Sequence, residues 1–257
     1  MTTTTPANTL ETDAPEISVV VPVKNETENL APLIQEISEN LRGTERFEIV
    51  YVDDGSDDDT TSQLLALSKQ TAELRVFRHQ VCCGQSAAVA TGVKMAQAPV
   101  IATLDGDGQN DPADIAALLS RFRQENDPEK ILVAGHRVKR QDSWVKKVSS
   151  RFANAIRAAI LQDDTPDTGC GLKVFSREAF LAMPKFDHMH RYLPALMIRA
   201  GGKVVSLPVN HRPRERGTSK YGVWNRLWVG IYDLFGVRWL IRRGSVPVLD
   251  RVKGELE

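Results

Sequence analysis

The chain is poor in cysteine and aromatic residues, carries no net charge and contains no long apolar run. Cysteine accounts for only 3 of 257 residues, and two of the three, Cys82 and Cys83, are neighbours. Adjacent cysteines are badly placed to bridge in ordinary backbone geometry, so a disulfide-stapled framework is excluded and a reducing, intracellular setting is expected. No stretch reaches the roughly 18 consecutive apolar residues that cross a bilayer as a helix, so no span is expected. Residues 1–15 offer threonines, prolines and acids but no basic segment leading into an apolar one; they read as a loose tail without a secretory signal. Beyond that tail there is no low-complexity block, and there is no internal repeat.

What is present suits one substantial core: 42% of the residues are hydrophobic and 26% are charged. The 33 basic and 33 acidic residues balance, yet they are segregated along the chain. Residues 137–157 hold seven basic side chains against Asp142, and residues 203–243 hold nine against Glu215 and Asp233. Acids gather earlier, in Asp53, Asp54, Asp57, Asp58 and Asp59. Charge of one sign gathered in a segment attracts a partner even when the total is zero, so the second half is expected to meet an anion.

Short β-rich runs at Ile17–Val21, Glu48–Val52, Leu74–Arg78, Val100–Leu104 and Ile131–Ala134 alternate with stretches whose apolar residues fall three and four apart. The latter are Glu26–Leu41, Thr60–Lys69, Ser86–Ala96 and Pro112–Phe122. Leu172–Phe175 and Lys203–Leu207 are further strand candidates. This alternation predicts an α/β fold: a mostly parallel, Rossmann-like sheet with helices on both faces. Ligands of such sheets bind beyond the C-terminal strand ends.

Those ends carry the informative residues. The second strand runs into Val52-Asp53-Asp54-Gly55-Ser56, where a carboxylate can accept hydrogen bonds from a base or ribose; the same residues also make a good turn and helix cap. The fourth strand runs into Asp105-Gly106-Asp107-Gly108-Gln109-Asn110-Asp111-Pro112, whose hard oxygens suit Mg²⁺ or Mn²⁺ shared with phosphates. A calcium loop would need an acid at position 116, which is Ala116.

Val21-Pro22-Val23-Lys24-Asn25-Glu26, the Asp53 and Asp105 segments and Gly84-Gln85-Ser86-Ala87-Ala88-Val89-Ala90-Thr91-Gly92 resemble the ordered motifs of family 2 glycosyltransferases. More narrowly, they resemble the polyprenyl-phosphate glycosyltransferases, the dolichol-phosphate mannose synthase group. The resemblance covers residues 16–243 and implies a GT-A fold, a GDP- or UDP-linked nucleotide-sugar donor and a divalent cation. It implies that Pro22, Val23, Glu26, Val52, Asp53 and Asp54 hold the nucleoside, that Asp105 lies beside the nucleotide-sugar, and that Asp107 and Gln109 ligate the metal. Glycines 106 and 108 depart from the family's usual Asp-Ala-Asp-Leu-Gln. Asp167-Thr168-Gly169-Cys170-Gly171-Leu172-Lys173 resembles the segment near the reacting sugar, with Cys170 and Leu172 in place of serine and an aromatic residue. A small packing thiol is the simpler account of Cys170.

His211–Tyr221 resembles the basic loop that closes over the phosphates, with Arg214 and Lys220 as its best matches and a solvated surface loop as the alternative. Arg137 is a further phosphate or sugar candidate. Residues 143–161 and 223–241 place Trp144, Phe152, Ile156, Trp224, Trp228, Phe235 and Trp239 at helical spacing among cations. They suit a lipid headgroup layer, and equally a core helix or oligomer contact.

The expected organisation is thus a tail (1–15), a catalytic domain (16–220) and a membrane-interface or oligomer segment (221–257) on the cytoplasmic face of a membrane. The expected reaction is inverting transfer of one sugar to a polyprenyl phosphate, with a separate membrane subunit or a second copy as further partners. A phosphate acceptor is already anionic and needs no general base, whereas a hydroxyl acceptor would need one, for which Asp167 is the candidate. A non-catalytic nucleotide-sugar sensor and a nucleic-acid binder are the rival classes; no nucleic-acid reading motif is present.

Overall fold

The computed structural model describes residues 14–138, 157–158, 160–161, 163–213 and 223–245, with side chains from 230 onward in the last segment. Seven strands form one sheet: β1 (Ile17–Val23), β2 (Phe47–Asp53), β3 (Leu74–Arg78), β4 (Val100–Thr103), β5 (Ile131–Arg137), β6 (Lys173–Ser176) and β7 (Lys203–Val209). Their order is β3-β2-β1-β4-β6-β5-β7. Every pairing is parallel except those of β6, which runs antiparallel to β4 and β5. All seven strand segments read from the sequence are present.

The apolar runs are continuous because both sheet faces are covered. In β2, Ile49 and Tyr51 enter one core while Val50 and Val52 enter the other; β5 divides likewise between Ile131 and Val133 and Leu132 and Ala134. The first core is closed by α1 (Thr27–Leu41) through Leu30, Leu33, Ile34, Ile37 and Leu41, together with α2 (Thr60–Ser68) and α4 (Asp114–Arg123). The second is closed by α3 (Gln85–Met95), α5 (Arg177–Ala182) and α6 (Leu193–Arg199).

The order reverses between β1 and β4, where chains leaving neighbouring strands diverge and open a crevice. Asp53 and Asp54, at the end of β2, and Asp105, just past β4, stand at the strand ends beside that opening.

A last helix, α7 (Val223–Arg242), packs on α6 through Val237, with Leu234 and Ile241 beside it. Its other side exposes Tyr232 (75%), Phe235 (64%) and Trp239 (60%). The core-helix reading thus describes one face of this helix, and the other face is exposed. Residues 143–156, and with them Trp144, Phe152 and Ile156, lie outside the described residues; at the segment's end Leu161 is buried with Tyr192 and Val237.

Candidate active site

The loops that follow β1 and β2 are laced together. Asn25, at φ 53° after β1, donates its N–H to Ser56 Oγ (2.9 Å) and accepts from the Asp57 N–H (3.0 Å). Asp53 is wholly buried and turns inward: Oδ1 accepts from Ser56 N (2.9 Å) and Ser56 Oγ, while Oδ2 accepts from Thr61 Oγ1. It organises the loop, and both its oxygens are occupied before any ligand arrives. The side chain of Val52 belongs to the second core, which leaves its backbone as the part that can face the crevice. Val23 accepts the Asp54 N–H at 2.8 Å, and Glu26 accepts from Asn29 Nδ2 at 2.7 Å.

Asp54 is the next residue after Asp53. Oδ1 accepts from Cys83 N (2.8 Å) and faces His79 Nδ1 (2.7 Å); Oδ2 accepts from Gly84 N (2.8 Å) and Cys82 Sγ (3.2 Å). Burial pushes its carboxyl up, but these four donors outweigh burial and hold it below the ordinary carboxylate range. Its stabilising contribution is therefore complete above about pH 4 and is lost as pH falls through the lower folded value. Gly55, at φ 67°, lets the 79–84 loop approach: a Cβ there would lie 2.8 Å from Cys82 N. An Asp54→Ala variant leaves two backbone N–H groups without their acceptor, so nucleotide affinity is expected to fall at least about tenfold by calorimetry. Unchanged affinity would remove Asp54 from the nucleoside site.

Asp105 sits at the floor of a pocket of about 120 Å³ with Pro22, Gln85, Lys173, His190 and Arg191. Gln85 Nε2 donates to it at 2.8 Å. Burial, reinforced by the charge of Asp107, raises its carboxyl to about 6 against the opposing pull of Lys173 and Arg137. Gly171 makes this position possible, because a Cβ there would lie 2.2 Å from Asp105 Oδ2. Asp107 follows on the open side, its Oδ1 accepting from Gln109 N at 3.1 Å. Gln109 is tied to the approach of the basic segment: its carbonyl accepts from Arg212 N (2.9 Å), and Nε2 reaches the Arg212 carbonyl (3.4 Å). Two carboxylates one residue apart, beside a carboxamide, offer oxygen donors that fit a hard divalent cation.

Arg137 and Asp167 are brought together by the fold. Nε donates to Oδ2 at 2.7 Å and Nη2 to Oδ1 at 2.8 Å, with the Arg137 N–H adding a third bond at 3.2 Å. The guanidinium offered to phosphate and the carboxylate offered as base are thus spent on each other. Arg212, counted among the phosphate-seeking cations, is likewise committed to Glu36 (2.6 Å) and Asp111 (2.8 Å). Arg214 and Lys220 lie outside the described residues.

Cys170 is fully buried and its thiol is pushed up by burial, as a packing residue requires. Lys173 is a residue that sequence reasoning passed over. It is buried beside Asp105, donates to the Cys170 carbonyl, and is lowered by burial. His190 is another; burial lowers it to about 3, so the ring is neutral and its Nδ1 lies 2.7 Å from Ser86 Oγ at the start of α3. Ser86 Oγ also accepts from His190 N (3.2 Å), which leaves its own proton for Nδ1.

Residues 18–182 match the profile of glycosyl transferase family 2. The chain is 33% identical over 238 residues to a dodecaprenyl-phosphate galacturonate synthase of Rhizobium johnstonii, covering 90% of this chain and 69% of that protein. It is 31% identical over 222 residues to an undecaprenyl-phosphate 4-deoxy-4-formamido-L-arabinose transferase of Serratia proteamaculans, covering 85% of this chain and 66% of that one. Its fold is similar to a glucosyl-3-phosphoglycerate synthase of Mycobacterium tuberculosis solved with Mg²⁺ and UDP (TM-score 0.64, 18% identity, 91% and 81% of the two chains). It is also similar to a mannosyltransferase of Pyrobaculum calidifontis solved with GDP-Man and Mn²⁺ (TM-score 0.62, 21% identity, 91% and 66%). Acids gathered where the strand order reverses, in a sheet that matches along most of its length, thus have a common explanation: the chain belongs to glycosyl transferase family 2.

Proposed function

We propose that this protein moves one sugar from a nucleotide-diphosphate sugar to a polyprenyl phosphate, inverting the anomeric centre. The observation that carries this reading is the bidentate Arg137–Asp167 pair, which removes the candidate base that a hydroxyl acceptor would need. A phosphate monoester carries its own nucleophilic charge and attacks without deprotonation by the enzyme. The two relatives, a dodecaprenyl-phosphate synthase and an undecaprenyl-phosphate transferase, support the same acceptor class.

In this reading Asp54, with Pro22, Val23 and Glu26 around it, holds the nucleoside, and the pocket above Asp105 receives the sugar. Asp107 and Gln109 would hold Mg²⁺ or Mn²⁺, which supplies positive charge to the departing diphosphate. Arg214 and Lys220 add cationic contacts to the same oxygens. Lys173 lies beside Asp105 with its ammonium form disfavoured by burial, and the neutral His190 ring fixes the first turn of α3 at the pocket rim through Ser86.

The acceptor's lipid brings the enzyme to the cytoplasmic face of a membrane as a peripheral protein. No described helix is long and apolar enough to cross one, and the exposed stripe of α7 suits the headgroup layer. Replacing Phe235 and Trp239 together by serine is expected to weaken partitioning into anionic vesicles about a hundredfold while leaving thermal stability unchanged. Equal vesicle binding by that variant would remove α7 from the membrane contact and favour a membrane subunit or a second copy on the same face.

The overall reaction is tested by incubating the protein and Mg²⁺ or Mn²⁺ with GDP- and UDP-sugars and a short polyprenyl phosphate. Lipid-linked sugar from at least one donor is expected. Donor hydrolysis alone, or donor binding without turnover, would point to a sensor.

A further inference from the structure

Cys82 and Cys83 have no part in the proposed transfer, yet the 79–84 loop holds both against the nucleoside end of the crevice. Cys83 Sγ, a ring nitrogen of His79 and a carboxylate oxygen of Asp54 lie within 4.8 Å of one another. Tetrahedral Zn²⁺ ligands are about 3.4 Å apart, so closing this triangle takes shifts of roughly an ångström.

Two of the three ligands are already held from behind. His79 Nε2 is 2.9 Å from Thr91 Oγ1, an outer contact of the kind that orients a metal-binding imidazole. Asp54 is fixed by the backbone N–H groups of Cys83 and Gly84, both at 2.8 Å. The third, Cys83, is exposed, and its thiol makes only a long contact of 3.3 Å to the Val81 carbonyl. Sulfur, imidazole and carboxylate together favour a borderline-soft ion, unlike the oxygen donors of Asp107 and Gln109. Three protein ligands leave a fourth position for water.

We propose that Asp54, His79 and Cys83 form a second cation site, of the Zn²⁺ class, whose occupation blocks binding of the donor nucleoside. The blocking step rests on the reading that Asp54 holds that nucleoside. Loading displaces the thiol proton of Cys83, which passes to solvent, while His79 binds as the neutral imidazole through the ring nitrogen facing Asp54 and keeps its one proton on the nitrogen facing Thr91 Oγ1; no electrons move. The Asp54 oxygens that would meet a base are then turned to the ion.

The test uses the full chain with excess Mg²⁺ to fill the oxygen site, and Co²⁺ as a coloured stand-in for Zn²⁺. One equivalent of Co²⁺ is expected to give a near-ultraviolet thiolate charge-transfer band that Zn²⁺ bleaches. The band should persist in Asp107→Ala and vanish in Cys83→Ser, whose exposed position carries little folding risk. In calorimetry, free Zn²⁺ at about nine times its own Kd should raise the apparent Kd for UDP or GDP about tenfold in the native chain. In Cys83→Ser that Kd should be the same with and without Zn²⁺. No thiolate band, or a band that survives Cys83→Ser, overturns the site. A band with nucleotide affinity indifferent to Zn²⁺ overturns the block. A chain that takes the ion but binds neither nucleotide at any Zn²⁺ level counts against both the block and the transferase reading, and the band still decides the site.

Discussion

Replacing Asp107 by alanine is expected to lower transfer to polyprenyl phosphate about a thousandfold, which corresponds to ~4 kcal/mol of transition-state stabilisation. The size follows from what the corner must do. A nucleoside diphosphate departs with charge that Arg214 and Lys220 alone do not neutralise, and a dication held at Asp107 acts where that charge develops. The loss should fall on turnover more than on folding, because Asp107 lies on an open loop, where its Oδ1 accepts from Gln109 N. Melting temperature within about 2 °C of the native chain, together with the kinetic loss, would separate the two effects. Turnover close to native in the Asp107 variant would mean that the leaving group is stabilised without this corner.

Replacing Arg137 by alanine is expected to destabilise the fold by about 3–5 kcal/mol, because it takes the guanidinium and its bidentate hydrogen bonds from a carboxylate in a nearly closed setting. The side chains of Arg137 and Asp167 are only 15% and 8% exposed, so water does not replace the lost guanidinium. For a chain of this length that is a fall in melting temperature of roughly 10 °C. Removing both charges, with Arg137→Met and Asp167→Leu, should recover much of the loss, since two apolar groups of similar size need no partner. A single Arg137→Ala change that leaves the melting temperature unmoved would show that the pair is solvated, and Asp167 would return as an available base.

Much of the scaffold was legible because buried parallel strands must be apolar on both faces, so β1, β2 and β4 stand out as runs that end abruptly in polar loops. The carboxylates beyond those ends, Asp54, Asp105 and Asp107, were legible for the same reason. What could not be read was which partners each would meet. Asp53 and Asp54 are adjacent and chemically equal, and only the third dimension sends one into Ser56 and Thr61 and the other towards the 79–84 loop. The Arg137–Asp167 pair joins residues on different sides of a long connection, and the Ser86–His190 contact spans 104 positions, distances at which spacing carries no signal. His79 could have been found. It follows β3 directly, where the strand-end rule already pointed. The antiparallel entry of β6 left no such mark, since a four-residue apolar strand reads the same in either direction.

The central claim is that a phosphate, not a hydroxyl, attacks the sugar. The most direct measurement offers the enzyme polyprenyl phosphate and the matching polyprenol under identical conditions, with one labelled donor and Mg²⁺ or Mn²⁺. The expected result is an inverted sugar on the phosphate and none on the alcohol. Comparable transfer to the alcohol would contradict the account, because it would require a base, and Arg137 occupies the carboxylate of Asp167.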